Sequence, residues 1–157
     1  MADMTANDLL ALLRRKYSPP LWWSFDELRI SAGHSHGEQK IDFWVMHSHP
    51  SKDFMRLGFE IKVDRGDFNR ELLKPEKRRP ALMLCNRFYF VAPEGVVPIE
   101  KLPIDAGLIE PHLHGRGLRI VHEAPWIDTS PPPWGFVVAL LRRAAGQPGP
   151  DESIETE

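Results

Sequence analysis

Residues 87 to 93 read RFYFVAP, in which a continuous apolar run from Phe88 to Ala92 stands between an arginine and a proline. A strand with one wet face alternates polar and apolar side chains, whereas a continuous run marks a strand covered on both faces, the habit of parallel sheets. Such a strand needs layers above and below it, so the rest of the chain must supply them. The flanking segments do. TANDLLALLRRKY, residues 5 to 17, has the apolar stripe of an amphipathic helix in Leu9, Leu10, Leu12 and Leu13, a cap in Thr5 or Asn7, and a stop in Ser18-Pro19-Pro20. LWWSFDELRI fits a strand, although FDELR also fits a helical turn.

KIDFWVMH and MRLGFEIKV read as two strands of a hairpin joined by SHPSKD. From Gly66 the period lengthens, and Phe68, Leu72 and Leu73 take helical spacing in a segment broken at Pro75 and ended by Pro80. GVVPIEKLP is a short helical turn, AGLIEP and LRIVHE are two short strands joined by HLHGRG, and GFVVALLRRAAG is a closing helix stopped by Gly146. Helix, antiparallel strands, helix and parallel strand together predict a single α/β domain: a mixed sheet flanked by helices. The expected divisions are an N-terminal helix over 1–20, a core over 21–124, a proline-rich connection and helix over 125–146, and a disordered acidic tail over 147–157.

Composition narrows the setting. The 157 residues are 42% hydrophobic and 27% charged, as in ordinary globular proteins. No apolar run approaches the roughly 20 residues needed to cross a bilayer, and no signal-peptide pattern opens the sequence. One cysteine, Cys85, forms no internal disulfide, so the expectation is a reducing, cytoplasmic compartment, and no Cys-x-x-Cys pair suggests structural zinc. The net charge of −2 is uneven: without the four acids of the closing DESIETE the chain stands at +2. Arg65 to Arg79 holds six basic residues against three acids. This patch fits a polyanion and fits a solvated helix face equally well.

The chemistry lies in RLGFEIKVDRGDF. On a strand Glu60 and Lys62 share one face, while Phe59, Ile61 and Val63 take the other. Asp42 is a lone acid between Ile41 and Phe43 on the preceding strand. If these strands are antiparallel neighbours, Asp42 sits beside Glu60. Two adjacent carboxylates repel unless a cation lies between them, and Mg²⁺ suits oxygen ligands with room left for water and phosphate. Lys62 would orient a water or stabilise the added charge of a pentacoordinate phosphate. A solvated strand face produces the same Glu-x-Lys pattern.

KIDFW, then GFEIKVDRGDFNREL with KPEKR, then CNRFYFVAPEGVVPIEKLPIDAGLIE, resembles the PD-(D/E)XK nuclease superfamily. The string is similar to small phage and bacterial DNA-repair-like members, over about residues 25 to 112. The resemblance implies a restriction-endonuclease-like fold and divalent-metal-dependent (Mg²⁺ or Mn²⁺) cleavage of DNA. It maps the metal-binding acids onto Asp42 and Glu60, with Ile61 as a further metal contact, and the catalytic lysine onto Lys62. A further acid ahead of the core maps onto Glu27. Arg65, Arg70, Lys74, Lys77 and Arg78 would lie along the phosphate backbone. Ile41 stands where the family name has proline. Cutting two strands with two sites makes a homodimer attractive, with the apolar C-terminal helix as the hint.

Two other readings compete. A DNA-binding protein could keep the fold without cutting, but it would be expected to lack an acid or the lysine, and all three are present. A zinc module could be built on the pairs His34/His36, His47/His49 and His112/His114; all three pairs lie at turns, and His47 and His49 have the opposite strand parity to Asp42.

Overall fold

The computed structural model describes residues 3–31 and 38–146. Six strands form one mixed sheet in sequential order: β1 (Trp22–Ser31), β2 (Glu38–His47), β3 (Arg56–Ile61), β4 (Arg87–Val91), β5 (Gly107–Pro111) and β6 (Leu118–His122). The β1–β2, β2–β3 and β5–β6 pairs are antiparallel, and β3–β4 and β4–β5 are parallel. The protein is a single α/β domain. Helix α1 (Ala6–Lys16) lies against one face, and α2 (Arg65–Leu72), α3 (Arg79–Leu82) and α4 (Trp134–Ala145) belong to the other.

The unbroken run of β4 is explained by the two core layers it serves. Phe88 and Phe90 pack with Phe68, Trp44 and Phe136 on the α2–α4 side. Tyr89 and Val91 pack with Phe43, Phe59, Leu9 and Leu13 on the α1 side. With all four side chains buried, a polar residue at any of them would lose its water without a ready partner. α1 begins at Thr5, which forms a reciprocal capping box with Asp8, and its buried stripe is Leu9, Leu12 and Leu13.

Several local expectations are revised. FDELR is strand throughout, as part of β1. Pro80 does not end the helical segment; it occupies the first turn of α3, where its missing N–H costs nothing. Leu73 is 80% exposed, and the inward face of α2 carries Phe68 and Leu72 instead. α4 buries Phe136 while Trp134, Val138 and Leu141 face outward. Among the described residues no helix is long and apolar enough to cross a membrane. His34, His36 and the acidic segment 147–157 lie outside the described residues.

One irregularity shapes the region of interest. The β1–β2 ladder pairs Asp26 with Phe43 and Leu28 with Ile41, and between these steps Glu27 takes the left-handed conformation, φ 47°. A side chain there crowds its own carbonyl, so the tertiary structure must hold it. The in–out alternation slips by one at this step: Phe25 and Leu28, three apart, enter the same core layer, and so do Ile41 and Trp44. Asp42 sits at the slip.

Candidate active site at the β2–β3 fork

The β2–β3 ladder runs from Met46–Arg56 to Phe43–Phe59, and its next step would bring Asp42 opposite Glu60. There the backbone pairing gives way to a side chain: the Ile61 amide donates to Asp42 Oδ2 at 2.9 Å. Beyond the fork β3 stays bound to β4, with the Lys62 amide donating to the Val91 carbonyl at 3.0 Å. The fork leaves room for side chains from both strands at one point. Lys62 lies one residue past the end of β3, so the strand itself is shorter than the expected MRLGFEIKV.

From this point the chain turns directly into α2, capped by Asp64, whose side chain accepts from the Asp67 amide at 2.9 Å. Phe68 is fully buried, its ring edge-on to Phe90 at 5.3 Å, and this contact fixes the helix over the sheet. Glu71, three residues on, falls on the same face. It meets Lys62, whose Nζ lies 3.3 Å from Glu71 Oε2 and 3.4 Å from Glu60 Oε1. The three side chains are 12%, 13% and 22% exposed for Glu71, Lys62 and Glu60, respectively. This is not the solvated strand face that the sequence pattern also allowed.

The electrostatics reflect crowding. Burial, then the Asp42 charge, push the Glu60 carboxyl up to about 8, against the opposing pull of Lys62. Burial also raises Asp42, outweighing its bond from Ile61 and the charges of Lys62 and Lys40, with Glu27 adding to the rise. For Lys62 burial acts to lower the pKa, but Glu60 and Glu71 together outweigh it and the ammonium is held above its usual range. Two acids of raised pKa beside one ammonium make a site that gains from a further positive charge. Among the described residues no group of three or more His, Cys, Asp or Glu forms a metal cage.

The other expected residues fall out as follows. Glu27 is the neighbour of Asp42 across the β1–β2 ladder, but its side chain is exposed and pairs with Lys40 at 3.3 Å. The Ile61 side chain packs toward α1, so only its carbonyl is left to face a metal. Arg65 donates to the Gly95 carbonyl at 2.7 Å, Arg70 pairs with Asp67, and Lys74 and Lys77 are exposed in the turn after α2. Arg78 departs from the expectation. It is 6% exposed, lies over the Phe90 ring at 5.7 Å and approaches Asp105 at 3.8 Å, so it is a buried group rather than an outer phosphate contact.

His47 is buried edge-on against Trp22 beside α1, and its Nδ1 accepts from the His49 amide at 3.1 Å. His112 and His114 are exposed around the β5–β6 turn. Glu71 is the residue that sequence reading missed.

No family model matches the chain, and no curated protein matches it. Among solved structures it is similar to the SPO1766 protein of unknown function from Silicibacter pomeroyi, with a TM-score of 0.60 and 20% identity over 92% of this chain and 88% of that one. At that identity the likeness concerns the fold alone.

Proposed function

We propose that this protein is a divalent-metal-dependent endonuclease that hydrolyses DNA phosphodiester bonds, with a role in DNA repair, recombination or phage DNA processing. The observation that carries the reading is the meeting of Asp42, Glu60 and Lys62 at the β2–β3 fork, in a buried setting where the two acids hold their protons unusually tightly. Charged groups gathered this closely, away from water, are costly unless they serve a ligand.

Asp42 commits Oδ2 to the Ile61 amide, which fixes the carboxylate and leaves Oδ1 for a cation. Glu60 and the Ile61 carbonyl complete the protein's share of such a site, and Glu27 stands near enough to Asp42 to influence its charge. A bound Mg²⁺ or Mn²⁺ would supply Lewis-acid polarisation of a phosphoryl oxygen and a more acidic water. Lys62 carries a fixed positive charge at the same point, suited to the extra negative charge that develops as a water oxygen bonds to phosphorus and the bond to the leaving sugar oxygen breaks. The exposed Lys74 and Lys77, just beyond α2, offer charge to the DNA backbone.

Incubation of the purified chain with plasmid, single-stranded and branched DNA, in Mg²⁺, Mn²⁺ or EDTA, tests the reading. Metal-dependent cleavage of at least one substrate is expected, abolished in Glu60→Gln and Lys62→Ala while both remain folded. Equal cleavage by those variants defeats it.

A further inference from the structure

We propose that Glu71 is a positioning residue for Lys62: it is the counter-ion that keeps the ammonium in place when Glu60 turns to a metal ion. The inference rests on the nuclease reading for its purpose, though not for its geometry.

Lys62 Nζ lies almost midway between the two carboxylates, 3.4 Å from Glu60 and 3.3 Å from Glu71. A carboxylate that takes up a divalent cation turns its lone pairs to that ion and attracts the ammonium less. If Glu60 were the only partner, Lys62 would be released at the moment its position matters, since a swinging four-carbon chain loses most of its value in a preorganised site. Glu71 removes that problem because it approaches from another element. It stands on α2, anchored one turn earlier by Phe68, while Glu60 belongs to the sheet.

Charge balance points the same way. Asp42, Glu60 and Glu71 when ionised carry three negative charges and Lys62 one positive, leaving a deficit that one divalent cation closes. With Asp42 and Glu60 on the metal, Lys62 and Glu71 remain as a neutral pair. Local helix physics gives no other reason for an acid here. Glu71 lies in the last turn of α2, where the helix dipole disfavours negative charge, and on the inward face, where an apolar side chain would ordinarily sit.

Two measurements on the full chain test the role. In a ¹H–¹⁵N spectrum of lysine ammonium groups, Lys62 should give an exchange-protected signal in the wild type, keep it in Glu60→Gln, and lose it in Glu71→Gln. In DNA cleavage at saturating Mg²⁺, Glu71→Gln should lower kcat about 100-fold with KM and the Mg²⁺ half-saturation point little changed, as expected for a lost preorganised charge. Glu71→Asp, which keeps the charge on a shorter arm, should recover part of the rate and serves as the second variant if the first is unstable. If the wild type cleaves, Lys62→Ala does not, and Glu71→Gln matches the wild type, the positioning role fails and the nuclease reading stands. If no form cleaves, the nuclease reading fails, and survival of the Lys62 signal in Glu71→Gln then overturns the positioning role as well.

Discussion

Replacing Glu60 by glutamine should stabilise the metal-free protein at alkaline pH and leave it unchanged in acid. In the fold the Glu60 carboxyl titrates at about 8, against 4.5 for an unperturbed glutamate. The folded state therefore holds this proton more tightly than the unfolded chain does. Its contribution to stability is complete below the unfolded value and is lost as pH rises from there through about 8. At roughly 1.4 kcal/mol per tenfold change in proton affinity, the ionised carboxylate costs at most about 5 kcal/mol at the alkaline end. That ceiling already contains the attraction to Lys62; relaxation and water entry around a side chain that is 22% exposed reduce it, and a net gain of about 2 kcal/mol is the working figure.

For a chain of this size that is a rise in melting temperature of about 6 °C. Thermal melts in EDTA at about pH 5 and about pH 9 measure it; the difference between variant and wild type should be near zero at the first and clearly positive at the second. Millimolar Mg²⁺ should then raise the wild type alone and close the gap. A variant that melts below the wild type at alkaline pH, or by the same margin at both, would refute the crowding from which the site is argued.

Three further outcomes follow from the packing and the charges. Phe68→Ala removes the buried ring that seats α2 against Phe90 and should cost about 3–5 kcal/mol in denaturant unfolding, and activity should fall with it because Glu71 hangs on the same helix. The double change Lys74→Ala with Lys77→Ala should leave the melting temperature unaltered while weakening DNA binding. Fluorescence anisotropy across a salt series should show a slope shallower by roughly 0.9 for each phosphate that the variant no longer neutralises. Arg78→Met should be neutral or stabilising and should leave DNA affinity alone. Among the described residues the buried Nε and Nη1 of Arg78 have no hydrogen-bond partner, and Asp105 at 3.8 Å compensates the burial poorly. An affinity loss equal to that of the lysine variant would return Arg78 to the proposed DNA contacts.

The sheet with a core layer on each face is legible in the sequence because its signals are local: β4 is apolar from Phe88 to Val91, and carrying the β2–β3 pairing one step past Phe43–Phe59 puts Asp42 opposite Glu60, although the alternation of β2 slips at that point. Three features are not legible, each because a long-range contact overrides a local preference. FDELR has a half-helical pattern because Asp and Glu are weak strand formers. Pairing with β2 makes it strand, and the left-handed Glu27 absorbs the mismatch. Arg78 belongs to a basic run whose members look alike in one dimension, and only the fold puts this one against Phe90 while Lys74 and Lys77 stay outside.

Glu71 is the most instructive. Periodicity from Phe68 makes position 71 an inward one, but a glutamate there interrupts the apolar stripe, and Leu73 offers itself as a false completion although it faces solvent. The break is the signal. An acid on the dry face of a short helix must meet a cation or be neutral, and the cation within reach is a lysine already placed on that face by the strand preceding the helix.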